Sequence, residues 1–478
     1  MKQSTQDMLD WFASLGVSAS DFPSILALAT QHGADDAELF FEHSIFTTVA
    51  LSDRAVNRAH TGIDLGMGVR VVVGDQVGYA YTESLTVESM RSAAATAASI
   101  ARGGRAVEPK GTRLGQGENH YPVDRFWGDV ELAERIPLLR AWEEQAFAED
   151  SRVRKVQCSL SDTDQRVLIA RADGLIVGDY RPMTRGGISC SVEQDGRNES
   201  GRNGVAARGD LSFFEPERQQ RMVSKAVDYA TRALDAGSPP AGEMPVVLGA
   251  GSSGILLHEA IGHGMEADFN RKKISIFADR IDTAIAPKEV TIVDDATIPG
   301  TRGALNVDDE GSPTEKTVLV ENGVLKTYLH DRISARHYGV DSTGSGRRES
   351  FRHAILPRMR ATYMEAGPHD PADIIKSVKR GLYCETFANG EVQIGAGDFA
   401  FYVRLGYLIE DGKLTQPVKD VNLIGNGPKV LETIDMVGND LEIDEGGWTC
   451  GKDGQGVPVS QGMPTVRVGC LSVGGGRT

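Results

Sequence analysis

Residues 244–264 read Met244-Pro-Val-Val-Leu-Gly249-Ala-Gly251-Ser-Ser-Gly254-Ile-Leu-Leu-His258-Glu259-Ala-Ile-Gly262-His263-Gly264, and two overlapping motifs in this stretch imply different folds. Gly249-x-Gly251-x-x-Gly254 follows a predicted strand and opens a predicted helix, as a dinucleotide fingerprint does. A dinucleotide fold also needs a second parallel strand soon after that helix, ending in an acidic residue about 20 residues past the motif. The chain instead continues Asp268-Phe-Asn-Arg-Lys-Lys-Ile-Ser-Ile-Phe-Ala-Asp279, polar and loop-like, and the next clear strand starts near Glu289. No nucleotide cofactor is therefore expected.

The second motif is His258-Glu259-x-x-x-His263. Neutral imidazoles are good zinc ligands, and an unbound carboxylate beside them can take a proton from activated water. In the common H-E-x-x-H arrangement the histidines are four apart and share a helix face. Here they are five apart, which at about 100° per residue leaves them roughly 140° apart on a straight helix. A shared metal then requires the helix to bulge or to end between them. Gly262 and Gly264, which flank His263, point to an ending, because glycine takes the left-handed C-cap conformation without penalty.

A catalytic zinc needs a third protein ligand and an open position. Cys450 stands in Gly446-Gly-Trp-Thr-Cys450-Gly-Lys452-Asp-Gly-Gln-Gly456, read as a flexible loop in which a thiolate can approach a metal and Lys452 favours the thiolate form. Residue type alone leaves the many Asp and Glu side chains as alternatives. The other cysteines, Cys158, Cys190, Cys384 and Cys470, lie in strand-like or mixed contexts and read as packing residues. Five widely spaced cysteines with no C-x-x-C pair argue against a disulfide framework.

Outward from the site, residues 236–243 combine Pro, Gly and small polar residues and mark a boundary, giving domains 1–238 and 239–478. The first is expected to be an α/β-layered domain. Helices are read over 22–31, 87–102, 131–149 and 218–234, and strands over 37–50, 66–73, 77–82 and 187–192, with a turn at Ala172-Asp173-Gly174. The second reads as predominantly β and barrel-like, with strands over 290–293, 318–320 and 407–409 and Asn-Gly or Asp-Gly turns at Asn322-Gly323 and Asp411-Gly412. The fold class is thus α+β, with a short metal-binding helix in the β-rich half.

The 478 residues carry 51 Lys+Arg against 67 Asp+Glu, a net charge of −16, so a nucleic-acid partner is not expected. With no apolar run of transmembrane length and no recognisable leader, a cytoplasmic protein without a membrane partner is expected. The 55 glycines, about 11–12% against a usual ~7%, are the compositional outlier, and they cluster at the turns and around the proposed site.

The chain resembles the TldD subunits of the TldD/TldE (PmbA) zinc metalloprotease family. The matching segments include Leu256-Leu257-His258-Glu259-Ala260-Ile261-Gly262-His263-Gly264, Asp268-Phe269-Asn270-Arg271, Asp308-Asp309-Glu310-Gly311, Gly346-Arg347-Arg348-Glu349-Ser350 and Cys450-Gly451-Lys452-Asp453-Gly454-Gln455. They span nearly all of 245–475; the first half matches more loosely, at Gly66-Met67-Gly68-Val69 and Gly78-Tyr79-Ala80-Tyr81. The resemblance implies a zinc-dependent peptidase with one zinc per chain, held by His258, His263 and Cys450, and Glu259 as general base. It also implies unfolded or extended peptides as substrates, and as partner either a metal-free TldE/PmbA-like paralogue or a second copy of the chain. Substrate-binding residues are not identified. The alternative is a non-catalytic partner or regulatory subunit of a protease complex, which the intact Glu259 disfavours, because a structural zinc site needs no free carboxylate.

Two further features are weighed. Asp294-Asp295 and Asp308-Asp309-Glu310 read as turn residues rather than a cation site. Arg347-Arg348 reads equally as a grip for a peptide carboxylate or as a structural ion pair.

Overall fold

In the strand Asp36–Ser52 (β1), Leu39, Phe41, Val49 and Leu51 face one side while Glu38, Phe40 and Glu42 face the other. Both sides are buried, so the sheet built on this strand is covered by two unlike layers. The computed structural model describes residues 3–103, 110–115 and 117–475. β1 is followed by β2 (Ala55–Val73), β3 (Gln76–Thr82), β4 (Arg113–Leu114), β5 (Val153–Arg171), β6 (Leu175–Gln194) and β7 (Arg197–Ala207). They form a seven-stranded sheet in the order β3-β2-β1-β5-β6-β4, with β7 also paired to β6.

The apolar face carries the helices. α1 (Thr5–Ser14), α2 (Phe22–Ala29) and α3 (Val87–Ile100) pack on Leu39, Phe41, Val69 and Leu168. α4 (Leu132–Glu149) and α5 (Pro216–Asp235) pack on Val49, Leu160, Ile188 and Val205. The expected helices and the Gly174 turn between β5 and β6 are present, whereas α1 was not anticipated and β2 begins at Ala55 rather than Gly66. Ser4 and Asp7 cap α1 reciprocally; the box uses Asp where Glu or Gln is usual. Among the described residues no single helix is long and apolar enough to cross a membrane.

The second half closes into a barrel. Gly242–Leu248 (β8), Arg380–Val392 (β9), Asp398–Glu410 (β10), Lys413–Asn426 (β11) and Val466–Gly474 (β12) hydrogen-bond in the order β11-β10-β9-β8-β12. β12 pairs back onto β11 through Asn422–Gly474, Leu423–Val473 and Ile424–Ser472, which completes the five-stranded ring and leaves no open edge at that seam. The β10–β11 connection is the Asp411-Gly412 turn expected from the sequence, both residues having positive φ. A second sheet, running from Val324–Leu325 through Lys316–Glu321, Ile292–Asp295, Ala361–Met364 and Ser460–Met463 to Glu442–Ile443, stands beside the barrel.

The polar face of the first sheet meets the second half through buried charge. Arg70 bonds Glu38 at 2.7 Å and Glu310 at 2.5 Å, Arg348 bonds Glu38 at 2.5 Å, and Arg181 bonds Asp309 at 2.5 Å. Asp308, in turn, accepts the backbone N–H groups of Glu310, Ser312 and Gly346. Asp308-Asp309-Glu310 is therefore more than a turn: it is the second half's contribution to a buried ionic seam. Arg348 is a structural ion pair, whereas Arg347 donates only to the carbonyls of Met359 and Pro458. Asp294 likewise holds Arg360, through the backbone N–H and Nε.

Candidate functional site

The fingerprint-like glycines form the turn by which β8 enters the site. Gly251 has φ +82°, and a Cβ on Gly254 would stand 2.6 Å from the Gly462 backbone nitrogen, so these glycines serve a tight turn and a close strand–helix contact. β8 is flanked by β9 and β12 inside the barrel, an arrangement unlike a dinucleotide-binding sheet.

After the turn the chain is α-helical over Ile255–Leu257, π-helical over His258–Gly262 and 3₁₀-helical over His263–Met265. The His263 N–H donates to the His258 carbonyl, five residues back. This single wide turn absorbs the extra residue and brings the imidazoles to 5.1 Å between ring centroids. The helix thus bulges between the histidines rather than ending there. Gly262 is helical, with φ −54°, and neither Gly262 nor Gly264 takes the left-handed conformation. Their role is packing: a Cβ on Gly262 would overlap the Met359 sulfur, and one on Gly264 would stand 2.7 Å from the Phe277 ring. Ile255, Leu256, Leu257, Ala260, Ile261 and Met265 sink into the barrel core and fix the helix on it.

Cys450 arrives from another part of the chain. It sits in the hairpin Thr449–Lys452/Gln455–Pro458, whose turn is Asp453-Gly454, and it is buried, so the expected loop is an ordered β-ribbon. Donor atoms of His258, His263 and Cys450 all lie within 4.8 Å of one another. Cys450 Sγ is 3.5 Å from His263 Nε2. Burial opposes ionisation of the thiol, but the adjacent imidazoles hold it well below the usual thiol range. The carbonyl of Cys450 accepts a 2.6 Å hydrogen bond from Arg358, which anchors the ribbon. Of the other cysteines, Cys158, Cys190 and Cys384 are buried packing residues, but Cys470 is exposed.

Lys452 does not serve Cys450. Its Nζ lies 3.1 Å from Glu266 Oε2 and 2.7 Å from Asp268 Oδ1. Glu266 in turn receives His263 Nδ1 at 3.0 Å, leaving Nε2 directed at Cys450. Burial alone would raise the Glu266 carboxyl; Lys452 and His263 hold it at about 2. Burial disfavours a charged His263, yet Glu266 and Cys450 outweigh it and raise its pKa well above the ordinary value. Glu266 was not singled out in the sequence, although it lies three residues after His263, where helical side chains meet.

Glu259 is half-buried beside the cluster, and its Cγ is 3.4 Å from where a Cβ on Gly390 of β9 would be. Burial raises its carboxyl above the usual range, while His258 and His263 draw it down. His258 Nδ1 is buried without a hydrogen-bond partner among the described residues. Two imidazoles and a low-pKa thiol, one imidazole oriented by a carboxylate and the other with an unsatisfied nitrogen, fit a borderline-soft divalent ion. His330, His353 and His369 bond elsewhere, to Thr327, Ser350 and Glu289.

Fold and site together define a class: a mixed α/β protein with a barrel in its second half and a His/His/Cys cluster able to hold a metal ion beside the Glu259 carboxylate, which has no partner among the described residues. Comparison with known proteins gives the same direction. The PmbA/TldA metallopeptidase C-terminal domain matches residues 241–475, domain 1 of that family matches 37–101 and the central domain 127–234. The chain therefore belongs to the TldD/PmbA metallopeptidase family. A metalloprotease TldD homolog of Haemophilus influenzae is 40% identical over 466 residues, covering 96% of this chain and 97% of that protein. Another, of Buchnera aphidicola subsp. Acyrthosiphon pisum, is 40% identical over 454 residues, 92% of this chain and 93% of its own. The crystal structure of TldE from Thermococcus kodakarensis shares the fold, with a TM-score of 0.74 at 19% identity over 94% of this chain and all of that one.

Proposed function

We propose that the chain is a zinc-dependent peptidase acting on unfolded or extended peptides, with residues 1–238 as a supporting domain and 239–478 as the catalytic one. The observation that carries this reading is the convergence of His258, His263 and Cys450 with Glu259 alongside and, among the described residues, uncommitted to any partner. His258, His263 and Cys450 would hold the zinc, which when bound polarises a carbonyl and acidifies water. Glu259 takes the proton of the attacking water and delivers it to the leaving amine; a carboxyl raised by burial is closer to the neutral value that such transfer favours. Glu266 keeps the Nδ1 proton of His263 in place and so fixes which nitrogen faces the site.

A metal-free TldE-like paralogue is the proposed partner, supported by the shared fold, with a second copy of this chain as the alternative. The cytoplasm is the proposed compartment, supported by a free buried thiol at the site. Metal analysis of the purified protein, combined with hydrolysis of an unfolded peptide before and after chelation, tests the reading. About one zinc per chain and chelator-sensitive cleavage support it; absence of zinc, or cleavage indifferent to chelator, overturns it.

A further inference from the structure

The sheet face turned towards the second half gathers positive charge next to the ribbon that carries Cys450. Arg185 on β6 and Ala206 on β7 are register partners, so they share one face, and Arg208 follows directly after β7. The same face carries Asp179 and Arg181, and Arg181 reaches Asp309 and the Val307 carbonyl of the second half. Arg208 is buried, 5.2 Å from the centroid of the Tyr121 ring, whose hydroxyl bonds Asp179.

The segment leading into Cys450 lies along this row. The Ala206 N–H donates to the Glu445 carbonyl at 2.6 Å, and the Arg185 side chain fills the space where a Cβ of Gly447 would be. Arg302 donates from Nε to the Trp448 carbonyl at 2.9 Å and from Nη2 to Thr449 Oγ1 at 3.3 Å. Behind them lies the buried Arg347, whose hydrogen bonds go to carbonyls only. The neighbouring carboxylates are engaged elsewhere: Asp179 and Asp309 by Arg181, Glu445 by Arg218 and Arg221. Among the described residues Arg185, Arg208, Arg302 and Arg347 have no carboxylate partner, and Arg208 Nε is buried with none at all. Their crowding is felt in the guanidiniums themselves. Burial, then Arg185 and Arg208, lower Arg302 to about 10; burial, then Arg208, lower Arg347 to about 9 against the opposing pull of Asp309.

In a chain of net charge −16, four guanidiniums gathered with no carboxylate in direct ion-pair contact, the nearest ones, Asp179 and Asp309, being held by Arg181, call for an anion. We propose that this cluster receives a carboxylate of the substrate peptide, either its C-terminus or an acidic side chain, and so selects which peptides are presented to the Cys450 ribbon. The arginine fork suits a carboxylate in two-point contact, and the exposed Thr449 hydroxyl stands beside Arg302 to add a third. The inference rests on the peptidase reading above.

The test is steady-state hydrolysis by the zinc-loaded protein of one peptide in three forms: free acid, C-terminal amide, and with its Glu side chains replaced by Gln. KM is expected to rise roughly tenfold when the recognised carboxylate is removed, with kcat little changed, which corresponds to about one charge-assisted hydrogen bond. Amidation and the Gln replacement distinguish the two sources. Arg302→Met, and separately the exposed Arg185→Met, should abolish the difference between the forms. Equal KM for all three forms in the wild type, or variants that discriminate as the wild type does, overturns the site. Titrating the three peptides into Glu259→Gln protein and following Trp448 fluorescence reads the same preference without turnover. A chain that binds the acid selectively but cleaves nothing refutes only the peptidase reading, and one that cleaves without discrimination refutes only this site.

Discussion

Glu266 Oε2 lies 3.0 Å from His263 Nδ1 and 3.1 Å from Lys452 Nζ, so one buried carboxylate joins the metal-site helix to the ribbon that delivers Cys450. Outer partners of a ligating histidine fix its orientation and raise its basicity. Replacing Glu266 with Gln keeps the shape but removes the charge that aligns both groups. Zinc affinity, measured by chelator competition, should fall by about 10- to 100-fold. Unchanged affinity would show that Glu266 does not position His263.

The turn into the site depends on Gly254. A Cβ there would meet the Gly462 backbone at 2.6–3.0 Å, and a backbone cannot rotate aside as a side chain can. Gly254→Ala should therefore cost about 1–3 kcal/mol in chemical denaturation and lower zinc occupancy with it. A variant as stable as the wild type would mean that the two backbones separate freely.

The ionic seam predicts a cost for removing one member. Arg70 answers both Glu38 and Glu310, all three being almost fully buried. Arg70→Met strips Glu310 of its guanidinium in a dry interface and leaves Glu38 to Arg348 alone, with an expected loss of about 3–5 kcal/mol by denaturant titration.

Glu42 gives the stability a pH dependence. Its carboxyl accepts from Gln165 and the Phe351 N–H, yet burial, with Asp309 and Asp64 adding repulsion, raises it to about 7. A folded pKa above the unfolded one means that the folded protein binds the extra proton. Its contribution is thus complete below the unfolded value near 4.5 and is lost as pH climbs through about 7. Between those values the wild type should lose ~3 kcal/mol that Glu42→Gln does not lose. Denaturation midpoints taken at intervals from pH 5 to pH 8 check this; parallel profiles for the two proteins would exclude Glu42 as the source.

Sequence reading reached the parts that depend on local pattern. The strand over 37–50, the Asp411-Gly412 hairpin, and the demand of a five-residue histidine spacing for a distorted helix all follow from neighbours in the chain. What it missed depends on residues far apart. Gly262 has Met359 against it, which is invisible at position 262, so its small size was misread as a helix stop. Lys452 was assigned to Cys450 because it is near in sequence, whereas strand alternation and the fold carry it to Glu266 and Asp268. Asp309 and Glu310 looked like turn formers because Arg181 and Arg70 lie more than a hundred residues away.

Replacement of Glu259 by Gln tests the central claim most directly. Gln keeps the volume of the side chain but cannot accept a proton, while His258, His263 and Cys450 are untouched. The expected result is zinc content equal to the wild type with peptide hydrolysis reduced by about 10²–10⁴-fold. A Glu259→Gln protein that retains its zinc and cleaves peptide at the wild-type rate would contradict the account.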